Sequence, residues 1–118
     1  MSRSAPISVI ETPEFLSATR KLMNDADRAV LVDHLARHPN AGDLIPGTGG
    51  VRKLRWGLEG RGKRGGARII YFYHSVGIPL FALTAYAKNE QADLSQEDCN
   101  DFKRLTKTLV DSYRGKSQ

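Results

Sequence analysis

The stretch VRKLRWGLEGRGKRGGARIIYFY, residues 51–73, decides the fold of this chain. It contains two strand-like runs, VRKLRW at 51–56 and ARIIYFYH at 67–74, and the second is rich in β-branched and aromatic residues. A glycine-rich segment joins the two runs. Strand-forming residues on either side of turn-forming glycines predict a β-hairpin.

The same hairpin carries most of the excess positive charge. Residues 51–73 hold seven Lys or Arg and one carboxylate, whereas the remainder holds eleven Lys or Arg against twelve Asp or Glu. The hairpin therefore accounts for the chain's net charge of +5 and its pI near 9.6. Like charges on one ribbon repel unless a partner neutralises them, which favours a polyanion such as nucleic acid over a merely solvated face.

Strand periodicity groups some of these cations. Alternation places Lys53 and Arg55 on one side of the first strand, and Arg68 begins its hairpin partner. Lys88 ends a third predicted strand at 79–88. Such a cluster can bind adjacent phosphates and stabilise charge that develops on one of them. Since RNA supplies its own nucleophile, the 2′-hydroxyl, its cleavage depends mainly on positioning and electrostatics.

The remaining segments complete an α+β pattern. Residues 7–11 read as an opening strand, and two helices are predicted to begin at Thr12 and Asn24, the second ending before Pro39. Ser95 caps a last helix with a helical apolar stripe. The order predicts a small antiparallel sheet with two N-terminal helices and one C-terminal helix. At 118 residues, the chain is expected to form one domain, 1–118.

Several other classes of function are disfavoured. The single cysteine, Cys99, excludes a disulfide framework and lies on the apolar stripe of the last helix. His34 and His38 have metal-binding spacing but no strong third ligand, so no metal site is predicted. The loop at 39–50 contains Gly-Thr-Gly-Gly without the lysine of a phosphate-binding loop. No signal peptide or membrane span is evident, which predicts a cytoplasmic protein.

Four aromatic residues have two interpretations each. His74 could act as a general acid or base, or simply end its strand. Tyr71 and Tyr73 could stack on bases, although core packing is the commoner role of strand aromatics. Tyr86 could stack on a base or supply a hydroxyl for proton transfer.

Four motifs, in order, carry a family resemblance: ETPEF, GDLIPGTGGVRKLRW, GRGKRGGARIIYFYH and LTAYAKNEQADLS. Over roughly residues 7–113 the chain resembles the RelE/HigB-like toxins of bacterial type II toxin–antitoxin modules. The resemblance implies the microbial RNase-like RelE fold and a ribosome-dependent endoribonuclease. Such an enzyme cuts translated mRNA in the A site by 2′-hydroxyl attack, without a metal or cofactor, and arrests growth.

The resemblance also assigns residues. Lys53, Arg55, Arg68 and Lys88 match the family's catalytic cations. Asn89 stands where RelE has an arginine, and NEQADLS lacks the tyrosine found there in RelE. The proton-transfer role therefore falls to Tyr86, His74 or Lys53. The residues expected to bind RNA outside the reaction centre are Arg52, Arg61, Lys63, Arg64, Tyr71 and Tyr73.

The implied partners are the ribosome with its mRNA and a cognate antitoxin. In HigB-type modules the antitoxin is a HigA-like helix-turn-helix protein, through which the complex binds operator DNA. Two alternatives stay open: a ParE-like inhibitor of DNA gyrase, and a non-catalytic nucleic-acid-binding module. The four cations together favour the enzyme, because gyrase inhibition requires no phosphate-binding cleft.

Overall fold

The computed structural model describes residues 5–58, 66–90 and 93–116, which form five strands and three helices. The strands are β1 (Val9–Glu11), β2 (Asp43–Leu44), β3 (Val51–Trp56), β4 (Ala67–Phe72) and β5 (Leu80–Ala87). The helices are α1 (Pro13–Arg20), α2 (Asp25–Arg37) and α3 (Gln96–Lys116). The α+β prediction, with two helices before the hairpin and one after β5, is confirmed.

The strands form one sheet in the order β1-β5-β4-β3-β2. The hairpin of β3 and β4 and the pairings of β5 and β2 are antiparallel, but β1 runs parallel to β5. The sheet is thus mixed rather than wholly antiparallel. Thr12 fixes this pairing, since its backbone N–H and its hydroxyl both donate to Ala82 O, at 3.2 and 2.9 Å. β2 adds a short edge within the segment predicted as loop.

The predicted helix starts are confirmed by their capping hydrogen bonds. Thr12 and Asn24 each accept a hydrogen bond from the backbone N–H three residues on, at 3.2 and 2.8 Å. At α3, Ser95 and Asp98 exchange two such bonds, at 3.0 and 3.1 Å, which completes a capping box. These bonds satisfy backbone donors that the first turn of each helix leaves unpaired.

The sheet buries a separate apolar cluster on each face. The first cluster lies against α1 and α2 and includes Phe15, Leu31, Leu35, Ala67, Ile69, Tyr71, Leu80, Ala82 and Ala85. The second lies against α3 and includes Val51, Ile70, Phe72, Ile78, Phe81, Leu83 and Tyr86. Side chains that alternate along β4 are thus buried on both faces, as expected for a central strand.

The turn before β3 attaches the sheet to α3. The Thr48 hydroxyl donates to Ile45 O at 2.7 Å and accepts from Val51 N at 3.1 Å, and the buried Thr106 hydroxyl donates to Thr48 O at 3.1 Å. Gly49 has a φ of +80°, and a Cβ there would lie 2.3 Å from Thr106 Oγ1. Glycine is therefore required for this close approach, and the hydrogen bonds of Thr48 and Thr106 hold the turn against α3.

Two structural findings bear on membranes and metals. No helix in the described ranges combines the length and the apolar run that crossing a bilayer requires. The rings of His34 and His38 lie 4.9 Å apart, between centroids, at the end of α2. Among the described residues no third His, Cys, Asp or Glu joins them in a metal-binding group.

Candidate active site

A bulge in β5 brings Tyr86 to the same face of the sheet as the hairpin cations. The β4–β5 register shifts between Ile70 and Tyr71, which pair with Thr84 and Ala82. Leu83 is the extra residue, so the side-chain alternation of β5 reverses there. Without this bulge, a chain that buries Phe81 and Leu83 under α3 would direct Tyr86 to the opposite face.

The result is a row of three polar side chains across the central strands. Arg55 of β3 pairs with Arg68 of β4, and Arg68 pairs with Tyr86 of β5. Directly opposed residues on one face have Cβ atoms about 5 Å apart, within reach of these long side chains. The row thus brings two guanidinium groups and a phenol together on one face of the sheet.

Two lysines extend this row, and we call Lys53, Arg55, Arg68 and Lys88 the cation site. Lys53 lies two residues before Arg55 on the same face, while Lys88 follows β5 and donates its backbone N–H to Gly66 O at 3.0 Å. Arg55, Arg68 and Lys88 line a shallow cavity of about 170 Å³. Small-molecule pockets are usually larger and more enclosed. The open site, walled by cations, suits one phosphodiester of a longer chain.

Tyr86 has a hydroxyl that no described residue engages. The residue is 9% exposed, and Oη is buried without a hydrogen-bond partner among the described residues. Burial raises the pKa of Tyr86 above its usual 10.0; the negative charge of Asp93 adds to the shift and Arg68 opposes it. The phenol is therefore neutral at physiological pH and has a proton to donate.

Asp93 places a carboxylate beside the cations. Its Oδ1 lies 3.2 Å from Lys53 Nζ and accepts a hydrogen bond from Leu94 N at 3.1 Å. The hydrogen bond from Lys53, followed by that from Leu94, lowers the pKa of Asp93. Sequence reasoning missed this residue because it lies forty positions from Lys53, in a polar loop. Its position just before the Ser95 cap was the available signal.

The comparison with known families decides the class of protein. The chain matches, over residues 9–116, the family described as "RelE toxin of RelE / RelB toxin-antitoxin system". The chain belongs to the RelE toxin family. The match includes every strand and helix described above, and the description implies a cognate antitoxin as the toxin's partner.

His74 does not join the cation site of this RelE-family toxin. It follows β4 at the end opposite to Arg68, and six residues of strand correspond to about 20 Å. Its ring is exposed, lies 6.3 Å from that of Phe72 between centroids, and places Nδ1 3.2 Å from Ser75 Oγ. This position favours the interpretation of His74 as a strand-end residue.

Arg52 and Tyr71 support the loop between α2 and β2, on the other face of the toxin. Arg52 Nη1 donates to Gly42 O at 2.7 Å. Tyr71 is fully buried, and its hydroxyl donates to Pro39 O at 2.9 Å and accepts from Gly42 N at 2.8 Å. The core interpretation of Tyr71 therefore fits, and neither side chain faces the cation site.

Replacing Tyr71 by phenylalanine is expected to lower the free energy of unfolding by about 1–3 kcal/mol, because Gly42 N and Pro39 O lose a buried partner. Burial raises the pKa of Tyr71 above 10.0. As pH rises, Tyr71 therefore ionises in the unfolded chain before it ionises in the folded protein. Its contribution to stability is fully present below pH 10 and is lost as pH rises from 10 through the raised pKa of the folded state. Urea unfolding of both proteins at pH 7 measures the difference; equal midpoints and slopes would contradict the assigned role.

Tyr73 lies beside a larger cleft of about 670 Å³, which His34, His38 and Pro39 also line. This cleft is on the α2 face, away from the cation site. Among the described residues, the cation site with the cross-strand row of Arg55, Arg68 and Tyr86 is therefore the candidate active site. The predicted docking residues Arg61, Lys63 and Arg64 lie outside the described residues.

Proposed function

We propose that this RelE-family toxin is an endoribonuclease that cuts mRNA in the ribosomal A site. The observation that carries the proposal is the row of Arg55, Arg68 and Tyr86 beside Lys53 and Lys88. It combines donors for a phosphate with a neutral hydroxyl at one position, which are the groups that RNA transesterification uses.

In the proposed reaction, Arg55 and Arg68 hold the scissile phosphate and stabilise the charge that develops on its oxygens. The 2′-hydroxyl of the preceding nucleotide gives its proton to solvent as its oxygen forms a new bond to phosphorus, and the bond to the 5′-oxygen breaks. Tyr86 donates its proton to that leaving oxygen, its Oη becoming exposed to the RNA as the substrate binds, and solvent reprotonates the phenolate. Burial keeps the phenol protonated before the reaction. The products are a 2′,3′-cyclic phosphate and a free 5′-hydroxyl, formed without a metal ion.

Lys53 and Lys88 add positive charge at the edges of the row. Lys88 lies in the wall of the cavity, where it can neutralise a non-bridging oxygen or the next phosphate. Lys53 can do the same once it leaves Asp93. Core packing accounts for the buried ring of Tyr86 but not for its hydroxyl, which has no partner among the described residues, and a hydroxyl next to these cations supports an enzyme over a binding module.

The proposed partners follow from the family resemblance. The toxin acts in the cytoplasm on ribosomes that carry mRNA, as one RelE/HigB-like domain. Its antitoxin is a HigA-like helix-turn-helix protein, and operator DNA is contacted only through that antitoxin. The local basicity of the hairpin supports a ribosomal partner, because rRNA is a polyanion.

Primer extension on a defined mRNA in a purified translation system tests the function. We expect new 5′ ends at A-site codons when ribosomes translate the message, and none on the same RNA without ribosomes. The products should carry the cyclic phosphate. Inhibition of gyrase supercoiling with intact mRNA would instead support the ParE-like alternative. If the protein neither cleaves mRNA nor inhibits gyrase, only the role of a nucleic-acid-binding module would remain.

A further inference from the structure

Asp93 lies at the edge of the cation site, next to Lys53. Its Oδ1 accepts from Leu94 N at 3.1 Å, immediately before the capped start of α3, and is 3.2 Å from Lys53 Nζ. A carboxylate oxygen at that distance makes the contact that a phosphate oxygen would make with the same ammonium. Lys53 thus already has an anionic partner in the free protein.

The ion pair between Lys53 and Asp93 is exposed enough to exchange. The Lys53 side chain is 30% exposed and that of Asp93 is 73% exposed. Exposed pairs of this kind contribute little to stability, so an incoming anion can replace one partner. A phosphodiester held by Arg55 and Arg68 is such an anion. The negative charge of Asp93 opposes every incoming phosphate, and these two arginines offset that repulsion only for a phosphate that they hold.

We propose that Asp93 is a specificity-determining residue, which occupies Lys53 and releases it only to a phosphodiester already positioned on Arg55 and Arg68. The inference rests on the proposed function, since it assumes that the cation site binds RNA phosphates. This arrangement would make the toxin bind free RNA weakly, because Asp93 shields Lys53 and places a negative charge beside the other cations. For mRNA that the ribosome already holds in position, the repulsion by Asp93 would be a smaller obstacle to binding.

Asp93→Asn tests this directly, because asparagine keeps the shape and can still accept from Leu94 N while losing the charge. The probe is a short single-stranded RNA with 2′-O-methyl groups throughout, which cannot be cleaved by 2′-hydroxyl attack. Fluorescence anisotropy gives its Kd across a range of KCl concentrations. We expect several-fold tighter binding and a log Kd against log salt slope that is steeper by about 0.7, the value for one more phosphate contact.

Two controls decide whether the effect passes through Lys53. Asp111→Asn removes a matched carboxylate from α3, where Asp111 pairs with Lys107 at 2.7 Å, and should change neither Kd nor slope. In a Lys53→Ala background, Asp93→Asn should leave the salt slope unchanged and tighten binding less. Equal slopes for the parent and Asp93→Asn, or equal tightening by Asp111→Asn, would overturn the proposal.

The same titrations separate failure of this inference from failure of the proposed function. If Arg55→Ala and Arg68→Ala weaken probe binding but Asp93→Asn does not alter it, the cation site binds RNA and only the role of Asp93 is wrong. If the parent binds the probe no better than the Arg55→Ala and Arg68→Ala variants do, RNA binding at the cation site is itself wrong.

Discussion

Replacing Arg68 by alanine is expected to lower the rate of A-site mRNA cleavage by about 100-fold or more, the usual loss when one donor to a developing oxyanion is removed. Arg68 lies at the centre of the row, paired across the strands with Arg55 on one side and Tyr86 on the other. No neighbouring side chain can replace it without leaving its own position. The measurement is single-turnover cleavage of mRNA in purified ribosome complexes.

Two further variants make that result specific. Arg104→Ala removes an arginine from the exposed face of α3, where it pairs with Asp101, and should cleave at the parental rate. Arg68→Lys should recover only part of the loss, because an ammonium provides charge without the planar two-point fork of a guanidinium. A parental rate in Arg68→Ala would remove Arg68 from the reaction centre.

The effect of Arg68→Ala should fall on the chemical step rather than on folding. Arg68 is partly exposed, and within the described part of the chain its side chain donates one weak hydrogen bond, to Ala67 O at 3.3 Å. Its removal leaves no buried partner unsatisfied, so the urea midpoint should stay within the range of a surface substitution. A large loss of stability would mean that the row supports the sheet.

The positions of the site's cations can be predicted from the sequence more readily than the position of its phenol. Period-2 alternation is sufficient to place Lys53 and Arg55 together, because β3 is regular and pairs with β4 without interruption. Tyr86 is different, since its face depends on the extra residue at Leu83. No residue type in that segment marks a bulge: the strand contains neither glycine nor proline near it. Only the packing on both sides of the sheet reveals it.

The helix starts were readable because capping is local chemistry, set by residues three apart. The direction of β1 was not, because it depends on the contact of Thr12 with Ala82, seventy positions later. Asp93 belongs to the same class, since its role comes from a distant lysine. The sequence therefore predicts features set by residues close together in the chain, such as helix caps. Features set by contacts between distant segments, such as the direction of β1, require the structure.

Replacing Tyr86 by phenylalanine is expected to lower cleavage by about 10²- to 10⁴-fold, the range for loss of a positioned general acid. The two strand tyrosines should then behave oppositely. Tyr71→Phe loses stability, because its hydroxyl has two buried partners, but should keep its cleavage rate below its melting temperature. Tyr86→Phe removes a buried hydroxyl that no described residue engages, so its stability should hold or rise by up to about 1 kcal/mol.

The pH dependence gives the second signature of Tyr86. A general acid must be protonated, and burial with the charge of Asp93 raises the pKa of Tyr86 above 10.0. Cleavage by the parent toxin should therefore show no loss from this group between pH 6 and pH 9, and should fall only as pH passes that raised pKa. Asp93→Asn removes one cause of the shift and moves the fall to lower pH, whereas Tyr86→Phe abolishes it. If Tyr86→Phe keeps both the parental rate and the decrease in rate at alkaline pH, another group is the proton donor. If the variant stays folded but loses both the rate and that pH dependence, the phenol of Tyr86 is the donor.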